Sequence, residues 1–80
     1  MNKYEERKRI GRRVAEVRKT VEWFDRGVKR TGMTQEELAD RCGIQQSHVA
    51  RLENGYYSVR FDNLQAVAEA LGMTVDIVKP

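Results

Sequence analysis

Eighty residues with 40% hydrophobic and 34% charged side chains, one Pro and six Gly fit a single small domain, 1–80, and exclude multi-domain machinery. The net charge of +3 is unevenly spread: residues 1–30 carry eleven Lys/Arg against five Asp/Glu, while residues 31–80 carry four against seven, so the basic charge belongs to the first third, either as a face for an anionic polymer or, as is commoner for a helix rich in Arg and Glu, as a solvated surface. No apolar run approaches the roughly 18 residues of a membrane-spanning helix, no secretion-signal stretch is evident, and the lone Cys42 can build neither an intrachain disulfide nor a metal site, which leads us to expect a cytoplasmic chain with no membrane and no cofactor.

In chain order, Ile10, Val14, Val17, Val21, Phe24 and Val28 recur at spacings of three and four, the signature of one face of a helix. This predicts a long first helix from about residue 5 to 20 or beyond, with Thr20, Gly27 and Thr31-Gly32 weakening its later turns; residues 5–30 are helix 1 and an inserted segment. Thr34 followed by Glu37 is a capping-box pattern, with Met33 and Leu38 as the flanking hydrophobic staple, so a second helix starts at Thr34. Leu38, Ala39 and Cys42 supply its buried side, and Gly43 sits where a left-handed residue closes a helix.

A third short helix follows, with Gln45 as a weak N-cap, Val49 and Leu52 facing inward, and Asn54-Gly55 at its end. The two short helices together span 34–54. A fourth helix, 62–71, opens at Asp62, which with Gln65 repeats the capping-box pattern, and it buries Leu64, Val67, Ala68 and Leu71 before Gly72. Residues 74–78 alternate apolar and polar, as a short strand or a tail folded back on the domain. The fold class is all-α, a bundle of four to five helices. A domain of this size also gains from self-association, which makes a homodimer expected.

Two short helices joined at a glycine, flanked by amphipathic helices, are the arrangement in which the second can enter a major groove. With Val49 and Leu52 inward, the third helix turns out Gln46, Ser47, Ala50 and Arg51, with His48 and Asn54 at the edges. Gln can pair with adenine and Arg with guanine, while Ser and Ala permit close approach. Catalysis has little to stand on: with one His, one Cys and two Ser, Ser47 beside His48 lacks a third group to orient a base, so no enzyme is expected.

The stretch Met33-Thr34-Gln35-Glu36-Glu37-Leu38-Ala39, followed by Gly43 through Gly55 with Glu53-Asn54-Gly55 at its end, resembles the phage-repressor (Cro/XRE-like) helix-turn-helix family. The likeness runs over roughly residues 33–72 and continues in Ile10-Gly11-Arg12-Arg13-Val14-Ala15-Glu16-Val17-Arg18. It implies a lambda-repressor-like bundle that binds double-stranded DNA as a transcriptional regulator, a repressor acting as a homodimer. Residue by residue, it implies that Gln46, Ser47, Ala50 and Arg51 face bases, that Gln35 donates to a phosphate and braces Gln46, and that Thr34 and Asn54 hold backbone. Tyr56, Tyr57, Ser58 and Arg60 would add donors to that grip, and Arg30 would reach flanking phosphates. The family also includes antitoxins, so a toxin partner is the alternative.

The resemblance further implies that Arg18 pairs with Glu53. The chain from Lys19 to Met33 is longer than the family pattern, and two registers compete: an insertion over 20–32, or a slide that puts Phe24 and Val28 in core positions. The slide would place Val28 where Glu53 needs its cation, at a cost of several kcal/mol for a broken buried pair, which favours the insertion. Trp23 and Phe24 then either form a partner surface or cover the first helix.

Overall fold

Residues 2–55 and 58–77 are described by the computed structural model. The first helix, α1, runs Lys3–Thr20. Asn2 caps it by accepting the Glu5 amide at 2.8 Å, and Glu5 and Glu6 in the first turn with Arg18 and Lys19 in the last complement its macrodipole. It stops where Val21 takes an extended backbone.

The inserted segment is a β-hairpin, which corrects the all-α expectation. Strand β1 (Glu22–Asp25) pairs antiparallel with β2 (Val28–Thr31), Trp23 opposite Arg30 and Phe24 opposite Lys29. Between them Arg26 and Gly27 both have positive φ, 51° and 84°, as a two-residue type I′ hairpin loop requires. The helical stripe therefore ends at Val21: Phe24 and Val28 keep a helix-like spacing, but aromatic and β-branched side chains around a turn with a glycine favour strands.

Helix α2 (Gln35–Cys42) has its capping box in place, Thr34 Oγ1 accepting the Glu37 amide at 3.0 Å while Glu37 Oε1 accepts the Thr34 amide at 2.9 Å. Gly43, at φ 69°, closes it, and the Ile44 amide returns to the Ala39 carbonyl. Helix α3 (Gln46–Asn54) starts at Gln45 with no side-chain cap and ends at Gly55. Helix α4 (Phe61–Ala70) begins one residue earlier than expected and has Leu71 as its C-cap. The capping box expected of Asp62 and Gln65 does not form: Arg60 is the N-cap, Asp62 lies within the first turn, and Gln65 donates to Glu69 one turn on. Residues 74–77 are not a strand; the remainder of that expected segment, Val78, lies outside the described residues.

The core joins Val14, Met33, Leu38, Ala39, Val49, Leu52, Val67 and Leu71. Leu38, Val49 and Val67 are fully enclosed, each side chain worth about 1.5–3 kcal/mol in burial. Helix α1 lies across α3, and α2 packs on both α3 and α4. The α1–α3 crossing is backbone on backbone: a Cβ on Gly11 would sit 2.4 Å from the Leu52 and Glu53 carbonyl oxygens. At Gly55 a Cβ would lie 2.7 Å from Lys8 Cα. These two close approaches fix how α3 is presented.

Candidate nucleic-acid interface

Burial of Val49 and Leu52 decides which way α3 faces. Gln46, Ser47, His48, Arg51 and Asn54 are exposed and Ala50 is half-buried, so amide, hydroxyl and guanidinium groups share one solvent-facing side of a two-and-a-half-turn rod. Small Ser47 and Ala50 between Gln46 and Arg51 leave room for a flat surface to come close.

Behind this face sits a buried bidentate pair. Arg18 Nε and Nη2 donate to Glu53 Oε2 and Oε1 at 2.6 and 2.9 Å, with side chains only 9% and 7% exposed. Arg18 Nη1 also donates to the Met33 carbonyl at 2.8 Å, and Gln35 Nε2 donates to Glu53 Oε1 at 3.0 Å. One carboxylate thus ties α1, the entry to α2, and α3 together, with each charge matched and hydrogen-bonded as burial demands. Gln35 turns its amide to Glu53 rather than bracing Gln46, which differs from the role the family pattern implied.

The stretch after α3 is held from α1. Arg7 Nε donates to the Gly55 carbonyl at 3.2 Å and Nη1 to Ser58 Oγ at 3.5 Å. Arg7 escaped sequence reasoning because its partners lie almost fifty residues away; the glycine inside the first helical pattern, Gly11, was the available signal of a close crossing. Ser58 and Arg60 join His48, Arg51, Val59 and Asn63 around a cavity of about 290 Å³ between α3 and the start of α4. Two guanidiniums, an imidazole, a hydroxyl and an amide line it, and no carboxylate is among its lining residues. Tyr56 and Tyr57, also expected to grip backbone, lie outside the described residues.

Arg30 stands elsewhere. Its Nη1 donates to Asp25 Oδ2 at 2.9 Å and to Glu37 Oε2 at 2.6 Å, and its guanidinium lies 5.0 Å from the Trp23 ring centre. Arg41 of α2 approaches the same ring at 5.4 Å, and Trp23 Nε1 donates to the Gly32 carbonyl at 2.8 Å. The hairpin is therefore clamped to α2. Its pairing puts Trp23 and Arg30 on one face and Phe24 and Lys29 on the other, so the two aromatics cannot share a surface; Phe24 is 66% exposed. The Glu37 carboxyl is held below its ordinary range, first by the Thr34 amide and then by Arg30. Burial pushes the Cys42 thiol up, and its Sγ lies 3.6 Å from the Ala66 carbonyl.

A capped short helix, a glycine turn and a second short helix with one buried and one polar side define a helix-turn-helix domain. The chain belongs to the Cro/XRE-type helix-turn-helix family: a family model described as helix-turn-helix matches residues 28–78, from the start of β2 past the end of α4. It is similar to "Control protein C.BamHI" of Bacillus amyloliquefaciens, 30% identical over 58% of this chain and 57% of the relative. An "Uncharacterized HTH-type transcriptional regulator" of Methanothermobacter thermautotrophicus is 43% identical over 55% of this chain and 64% of the relative. A "Neisseria hypothetical transcription factor" of Neisseria meningitidis serogroup B is 36% identical over 52% and 40%. The matches thus span about half the length of these relatives. Among the described residues no helix is long and apolar enough to cross a membrane.

Proposed function

We propose that this chain is a sequence-specific duplex-DNA-binding transcriptional regulator that inserts α3 into the major groove. The observation that carries the reading is the polar face of α3, Gln46, Ser47, Ala50 and Arg51, set outward by burial of Val49 and Leu52 and locked from behind by the Arg18–Glu53 pair. Phosphates on either side would meet the amino end of α2 at Thr34 and Gln35, the cavity of His48, Arg51, Ser58 and Arg60, and Asn54 at the end of α3. The relatives named as a control protein and as an HTH-type transcriptional regulator support the same class.

The chain acts as a repressor by occupying its operator as a homodimer. Two copies related by a twofold axis would read half-sites about one helical turn apart. A toxin-neutralising role would have to use Phe24 without Trp23, because the hairpin turns them to opposite faces. Selection of bound sites from random duplex DNA tests the proposal. A recovered palindromic motif is the expected result, and failure to enrich any motif would remove sequence-specific recognition.

A further inference from the structure

The amino end of α2 poses an electrostatic problem. Its first turn carries Glu36 and Glu37, and Glu37 is fixed there because its Oε1 accepts the Thr34 amide in the capping box. The Thr34 hydroxyl serves the Glu37 amide and the Thr34 carbonyl serves Leu38, which leaves the Gln35 and Glu36 amides as this end's donors among the described residues. A phosphate approaching those amides would meet a fixed carboxylate one residue on. The inserted hairpin supplies the answer. Arg30 Nη1 reaches the second oxygen of Glu37 at 2.6 Å, and is itself held by Asp25 at 2.9 Å and by the Trp23 ring. Trp23 in turn is anchored to the Gly32 carbonyl, two residues before the cap.

We infer that the hairpin is a built-in counter-charge for α2: Arg30 neutralises the capping carboxylate of Glu37 and holds the helix end ready for the DNA backbone. The inference rests on the DNA-binding reading above. Arg30 is a positioning residue in this scheme and makes no phosphate contact of its own. Among the described residues Glu37 pairs with Arg30, which Asp25 also holds; Glu36 precedes it and Arg41 follows it along α2, Arg41 turned to the Trp23 ring, and the Glu22–Lys29 pair belongs to the opposite hairpin face.

The experiment is a double-mutant cycle read as affinity for a mixed-sequence duplex of about 30 base pairs at about 50 mM salt, with melting curves to verify folding. Arg30→Gln should weaken binding about fivefold, the effect of exposing one fixed charge near a phosphate in a water-like dielectric. Glu37→Gln, which retains a capping side chain, should bind at least as well as the parent. The Arg30→Gln/Glu37→Gln double variant, with both charges of the pair gone, should return to about the parent's affinity, and Arg26→Gln at the hairpin tip should cost less than about twofold. A double variant that stays as weak as Arg30→Gln alone would make Arg30 a direct phosphate contact and overturn the inference. No loss from Arg30→Gln, or an equal loss from Arg26→Gln, would overturn it as well. A parent chain that binds no duplex is a separate result, seen before any variant is compared, and it removes the DNA-binding reading itself.

Discussion

Arg18 and Glu53 concentrate much of the specificity of this small fold in one buried contact. Removing one partner leaves the other charged, enclosed and without its counter-ion, so Arg18→Ala should lower stability by about 3–5 kcal/mol in denaturant unfolding, a large share of what a domain of this size has. Gly11 offers a sharper test because propensity and packing oppose each other there. Alanine in a helix interior gains about 1 kcal/mol over glycine, but its Cβ would strike two α3 carbonyl oxygens at 2.4 Å. Overpacking should prevail, and Gly11→Ala should melt at a lower temperature than the parent. Arg18 was legible in the sequence only through its resemblance to a family pattern; Gly11 was legible in principle, since a glycine within a helical stripe asks for a reason.

At the scale of elements, α2 and α3 were the readable part. Thr34, Glu37, Gly43 and Gly55 mark chain directions by local hydrogen bonding, and local chemistry is what a sequence displays most directly. The start of α4 misled because Asp62 and Gln65 have the spacing of a capping box, yet α4 begins earlier and the box pattern alone does not set the boundary. The hairpin was unreadable for a related reason: Val21, Phe24 and Val28 satisfy helical spacing, while the deciding facts are the left-handed pair Arg26-Gly27 and the docking of Trp23 between Arg30 and Arg41 on α2, a contact across the fold. The α2 cap also yields a pH test. The Glu37 carboxyl is held below its ordinary value in the folded chain, so its contribution is complete above the unfolded value near about 4.3 and disappears as pH falls through the folded one. Glu37→Gln should therefore lose less melting temperature than the parent on acidification from about pH 5 to pH 3.

Over the whole molecule, net positive charge belongs to the first third while α3 lies in the acidic remainder. Much of the basic excess is spent internally: Arg18 on Glu53, Arg30 on Asp25 and Glu37, Lys29 on Glu22 and Arg9 on Glu6. Arg60, in the lining of the α3–α4 cavity, then assumes greater weight. Arg60→Gln should weaken binding to all duplexes alike and lower the salt dependence of log K by about one phosphate contact, a slope change of about 0.9, in titrations at several salt concentrations. If the chain binds duplex DNA as proposed, so few cations on the α3 side would give a single copy only modest affinity, which is the physical ground for proposing paired footprints from a homodimer.

Whether α3 turns towards bases is decided by site selection from random duplex DNA, run in parallel for the parent and Gln46→Ala. The variant is expected to lose preference at one position of each half-site, at a cost of about 1–3 kcal/mol on the parent's sequence, with binding to unrelated duplex unchanged. Identical recovered motifs with identical affinities would place Gln46 away from the bases and contradict the reading of α3 as the recognition helix.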